Sequence, residues 1–128
     1  MVDLYAAWAR AKLGDVDISI PVMRDAANKL FETGQLALCV AASGILVETL
    51  LERGTQPDVC EAEVAIERLA ETVVDDVPVR DVWLLRLRAL LARAHGDEAG
   101  YRDYRDRYRT MATSLGFEGH IAWAEAMV

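Results

Sequence analysis

Three glycine-centred breaks, Leu13-Gly14-Asp15, Arg53-Gly54-Thr55 and His95-Gly96-Asp97, divide the chain almost evenly, with their glycines 40 and 42 positions apart. On either side of each break the apolar residues recur with the period of a helix. A stop and a start repeated at this interval is what stacked helical hairpins require, because a single hairpin cannot bury its apolar face and needs a neighbour against it. The spacing predicts an all-α chain of six to seven helices in antiparallel hairpins, a short tetratricopeptide-like solenoid closed by a terminal helix. Hairpin stacks bind or connect more often than they catalyse.

The segments between the breaks support this. Residues 3–13 read as a short helix with Leu4, Trp8 and Ala11 on one side and no partner helix before it. Residues 20–33 read as a second helix, with Ser19 at its N-cap, Pro21 in its first turn and Gly34 as its stop. Residues 36–53 are apolar nearly all round, which places that helix in the middle of the bundle. Gly44 within it predicts the close approach of a neighbouring helix, since glycine there otherwise costs about 1 kcal/mol against alanine. Residues 57–74 are amphipathic, capped by Thr55 with Asp58, and carry Val59, Ala62, Ile66, Leu69 and Val73 as the buried stripe. Residues 79–95 form a second central helix interrupted by Arg80, Arg86, Arg88 and Arg93. Residues 98–115 follow an Asp97 cap, with Tyr101, Tyr104, Tyr108, Met111, Ala112 and Leu115 on one face and the i,i+4 pairs Asp103–Arg107 and Arg102–Asp106 on the surface. Residues 118–127 make a short last helix.

Composition narrows the function. The 128 residues fit a single tetratricopeptide-like domain, and the helix at 3–13, lacking a predecessor, reads as the cut end of a longer multidomain protein. A net charge of −7 argues against nucleic acid as the partner, because phosphate binding needs a basic surface. The longest uncharged stretch, Gly34 to Val47, is too short to span a bilayer, and no signal peptide opens the chain, so a cytoplasmic location is expected. Cys39 and Cys60 sit among apolar neighbours and read as reduced core thiols.

No catalytic or cofactor motif is present. Lys12 and Lys29 are each followed by Leu, which rules out a phosphate-loop Lys-Ser or Lys-Thr. His95 and His120 are 25 positions apart without a ligand set in helical register. His95 suits the C-terminus of its helix, and His120 reads as a packed or surface residue. Ser19, Ser43 and Ser114 lack a nucleophile context. We therefore expect no cofactor, no metal and no catalytic residues. The candidate partner surface consists of the acidic row Glu63, Glu67 and Glu71 (continuing to Asp75), Arg86 and Arg93 from the arginine set, and Tyr101 and Tyr104 from the tyrosine stripe. Pairing of the acidic row with the arginines inside the protein is the simpler use of both. The tyrosine stripe is more often packing between helices than a ligand cleft.

A resemblance adds to this reading. The run Trp83-Leu84-Leu85-Arg86-Leu87-Arg88-Ala89-Leu90-Leu91-Ala92-Arg93-Ala94, then His95-Gly96-Asp97, continues through Tyr101-Arg102-Asp103-Tyr104-Arg105-Asp106-Arg107-Tyr108-Arg109 to Leu115-Gly116-Phe117 and Trp123-Ala124-Glu125-Ala126-Met127. It resembles the C-terminal tetratricopeptide-like region of large mycobacterial signalling proteins that join an adenylate/guanylate cyclase domain to an AAA- or STAND-type ATPase domain. Related arrays occur in large LuxR-type regulators. The repeat departs from the strict pattern, with spacings of 40 and 42 and only a hint of the usual Trp-Leu-Gly-Tyr series. The resemblance implies a non-catalytic interaction or regulatory module whose partner is another protein or a neighbouring domain of its parent chain. A stand-alone dimerisation domain (a homo-oligomer) and a small helical ligand-binding protein or enzyme are the alternatives.

Overall fold

The computed structural model describes residues 13–72 and 77–127. Except for its last residue, Leu13, the expected helix at 3–13, and with it Leu4, Trp8 and Ala11, lies outside the described residues, as do Val73, Asp75 and Val128. The described chain folds into six α-helices: α1 Val16–Glu32, α2 Leu36–Arg53, α3 Gln56–Glu71, α4 Val77–Ala94, α5 Glu98–Leu115 and α6 Glu118–Ala126. Short links force consecutive helices to run antiparallel. Each packs on the next, and α2 also packs on α4. These contacts make an all-α array of stacked hairpins with α2 and α4 in its middle.

Local chemistry sets the helix ends. Gly14, Gly34, Gly54, Gly96 and Gly116 all take positive φ, a region that costs a side-chain-bearing residue about 1–2 kcal/mol. The steps Gly14 to Gly34, Gly34 to Gly54 and Gly96 to Gly116 are each 20 residues, so the hairpin interval read from the sequence is two helix-plus-stop units. At the start of α3, Thr55 and Asp58 form the expected capping box. Asp97 accepts from the Gly100 N–H at 2.9 Å and caps α5.

The start of α1 differs from expectation. The helix begins at Val16 rather than after Ser19, and Pro21 lies inside it rather than in its first turn. Burial explains the extension. Val16 packs on the same core as Ile20 and Met23, so the apolar stripe holds the chain helical through the proline, whose missing N–H forfeits one hydrogen bond. Ser19 is buried within α1, and its Oγ has no partner.

Two apolar clusters share α4. Trp83, Leu84 and Leu87 join the core made by α1, α2 and α3, while Val82, Ala89 and Ala92 join Tyr101, Tyr108, Ala124 and Met127 on the other side. Gly44 of α2 faces the Trp83 indole so closely that a Cβ there would overlap the ring. The glycine thus permits the helix approach that the sequence predicts. α6 lays Ala124 and Met127 over the second cluster, with Trp123 reaching the first. Cys39 is buried, but Cys60 on α3 is exposed. The reading of both thiols as core residues holds for Cys39 alone.

Candidate interaction groove

The acidic row of α3 and one face of α4 form the two sides of a groove. Its lining is Glu63, Ile66 and Glu67 from α3, Arg88, Leu91 and Ala92 from α4, His95 just beyond α4, and Tyr104 from α5, around a volume of about 400 Å³. On α3, positions 63, 66 and 67 share a face by i,i+3 and i,i+4 spacing; on α4, positions 88, 91 and 92 do the same, and His95 follows in the turn after it. Ile66, Leu91 and Ala92 make an apolar floor. Charged and aromatic side chains rise on either side.

One hydrogen bond crosses the groove among the described residues, where His95 Nε2 lies 2.7 Å from Glu63 Oε1. Glu67 and Arg88, in contrast, take part in no ion pair among the described residues. Tyr104 is half-buried, with the Arg107 guanidinium 5.5 Å from its ring centroid. Of the residues nominated from the sequence, Glu63, Glu67 and Tyr104 therefore meet in one place, and Glu71 stands exposed one turn further along α3.

The other nominees lie elsewhere. Tyr101 is buried against Val82, Ala89 and Ala92, so it offers a partner no surface. Arg93 and Arg105 cover it, at 4.1 and 5.8 Å from the ring centroid. Arg86 is not a surface residue either. Its Nη2 donates to Glu48 Oε1 at 2.6 Å, and its guanidinium lies 5.1 Å from the Trp123 ring. Burial opposes its charge, but the hydrogen bond and field of Glu48 outweigh that penalty and hold its pKa above the ordinary value. Arg86 thus ties α2, α4 and α6 together from inside. Among the described residues, the arginine ion pairs that are seen use carboxylates outside the acidic row. Arg86 takes Glu48, Arg24 takes Glu61, Arg53 takes Asp58 and Asp17, and the row's Glu63 takes His95.

His120 stands beside Arg86. Its ring contacts Trp83, Tyr108, Phe117 and Trp123, and Nδ1 is 2.7 Å from the Tyr108 hydroxyl. Burial, reinforced by the Arg86 charge, lowers its pKa to about 4. Burial raises Tyr108 to about 12 against the pull of Arg86. At neutral pH the phenol therefore keeps its proton, the imidazole is uncharged, and the two share one hydrogen bond. Cys39 is also raised by burial, which leaves it an unreactive thiol.

Among the described residues no three His, Cys, Asp or Glu side chains converge as metal ligands, and no helix is long and apolar enough to cross a membrane. The groove residues Ile66, Arg88, Leu91, Ala92 and His95 were not nominated from the sequence. The i, i+3, i+7 spacing of Arg88, Leu91 and His95 is legible there, but which helix faces them is not. With the fold in view, the chain is an all-α array of stacked helical hairpins. It matches no protein-family model, no curated protein and no solved structure.

Proposed function

We propose that this chain is a non-catalytic helical-repeat module that binds another protein or a neighbouring domain of its parent chain. We further propose that it forms the C-terminal part of a cyclase/ATPase-type signalling or transcriptional regulator. The resemblance of residues 83–127 carries the second statement. The groove between α3, α4 and α5 carries the first: an apolar floor flanked by charges, on the face where a hairpin stack offers several helices at once, suits a peptide segment. The test is photo-crosslinking from Leu91 or Tyr104, each replaced in turn by a photoreactive amino acid in the native host. An adduct at these positions and none at the exposed Thr113 supports the reading, and no adduct at either groove position refutes it. The purified chain is also expected to release no product from ATP or GTP.

Self-association is a second reading, supported by Ile18 and Val22, exposed apolar residues one turn apart on α1, with exposed Leu13 just before it. A single monomeric species in sedimentation at high protein concentration would rule it out.

A further inference from the structure

We infer that the segment bound in the groove is basic, with Lys or Arg side chains one helical turn apart and an apolar residue between them. This rests on the proposed interaction module and names the chemistry of its partner. Glu63, Glu67 and Glu71 follow one another at i,i+4 along α3, which spaces their carboxylates by about 6 Å along the axis. Cations one turn apart on a partner helix have the same spacing, so such a segment can match the row in register. Glu48, Asp58 and Glu61 each meet an arginine within 2.7 Å. Glu67 and Glu71 meet none among the described residues, and both are exposed.

The floor supplies what a charged row alone lacks. Ile66, Leu91 and Ala92 lie between the acidic row and the opposite wall, and the volume of about 400 Å³ takes roughly two or three side chains rather than a whole helix. A partner apolar residue fills it while the stems of flanking Lys or Arg side chains lie along its edges. Arg88, on the opposite wall and in no ion pair, donates to the partner's main-chain carbonyls and repels a cation there, which directs the basic side of the segment to α3. The net charge of −7 adds long-range attraction for a basic partner and repels an acidic one.

The test uses the full chain and two fluorescent peptides, one of four Leu-Ala-Ala-Lys repeats and one of four Leu-Ala-Ala-Glu repeats, followed by anisotropy at low and physiological salt. The lysine peptide is expected to bind and the glutamate peptide not. Glu67→Gln combined with Glu71→Gln is expected to weaken binding about ten-fold, and Leu91→Ala to weaken it at both salt concentrations. Both glutamates are exposed, so circular dichroism should show the fold unchanged. Glu118→Gln with Glu125→Gln, on exposed positions of α6, removes the same charge away from the groove and is expected to leave binding intact. Equal loss from both double variants, binding of the glutamate peptide, or binding of neither peptide would overturn the inference. If neither peptide binds while Leu91 still crosslinks a protein, the basic-partner inference falls and the module stands. Absence of crosslinking refutes the module itself.

Discussion

Acidification from about pH 8 to about pH 5 should destabilise this protein through a single side chain, His120, and the size of the effect follows from its surroundings. The imidazole is enclosed by Trp83, Tyr108, Phe117 and Trp123, with the Arg86 cation beside it and Glu48 behind that cation. Its folded pKa is about 4 against an ordinary 6.5. Because the folded value is the lower one, the unfolded chain takes up the proton first. Stability is therefore complete above the ordinary value and is lost as the pH falls from there towards about 4. Each pH unit across that window is worth about 1.4 kcal/mol. At about pH 5 the ceiling is about 2 kcal/mol, and solvent screening of a half-buried ring brings the expectation to about 1–2 kcal/mol. For a chain of this size that is a fall in Tm of about 4–8 °C. Thermal unfolding followed by far-UV circular dichroism should show it in the native protein. A Tyr108→Phe/His120→Phe variant, which removes the ring and its hydrogen-bond partner together, should be much flatter over the same range. The His120 ring resonance should titrate near pH 4 by NMR. Parallel pH profiles for native and variant protein, or a midpoint near the ordinary value, would refute the reasoning. The acid loss from Asp58 lies lower in pH. Its carboxylate is held far below the ordinary range by Arg53 and Thr55 against the cost of burial, so that stability disappears only as the pH falls below the carboxylate range.

Three further perturbations test the packing. Gly44→Ala forces a Cβ into the Trp83 indole; it should cost about 1–3 kcal/mol in urea unfolding despite alanine's better helix propensity, and Trp83→Leu in the same chain should recover part of that loss. Arg86→Met strands the partly buried Glu48 carboxylate and should cost about 1–3 kcal/mol, while Arg86→Met with Glu48→Met should cost less than the single change, a pattern that a double-mutant cycle reads directly. Truncation after Gly116 strips Phe117, Trp123, Ala124 and Met127 from the two clusters; at about 1.5–3 kcal/mol for each large apolar side chain, the melt should fall by well over about 10 °C, and equal midpoints would show that α6 is a tail rather than a cap.

The helices and their order were legible because their determinants are local. Gly54 and Gly116 end helices by their own backbone freedom, Thr55 and Asp58 cap α3 from three residues apart, and Asp97 caps α5 in the same way. The all-round apolar pattern of α2 foretold a central helix, and Gly44 foretold a close neighbour. What failed were readings that depend on which face meets which. Ser19 looks like a cap until Val16 is seen to pack on the core and pull the helix back past Pro21. Cys60 has apolar neighbours in sequence but is exposed.

The sequence alone thus determined an all-α hairpin array and the ends of most of its helices, since caps, breaks and periodicity act over three or four residues. Only the tertiary structure decided where the charges work. Arg86 looks like a surface cation, yet it meets Glu48, 38 positions away, inside the protein. Glu63, Glu67, Arg88, His95 and Tyr104 come from three helices and become one groove only when α3, α4 and α5 pack together. The physical reason is that α4 is apolar on two sides, so its own pattern does not choose which neighbour each polar residue will face; the packing of Trp83 over Gly44 and of α5 and α6 over Val82 and Ala89 makes that choice.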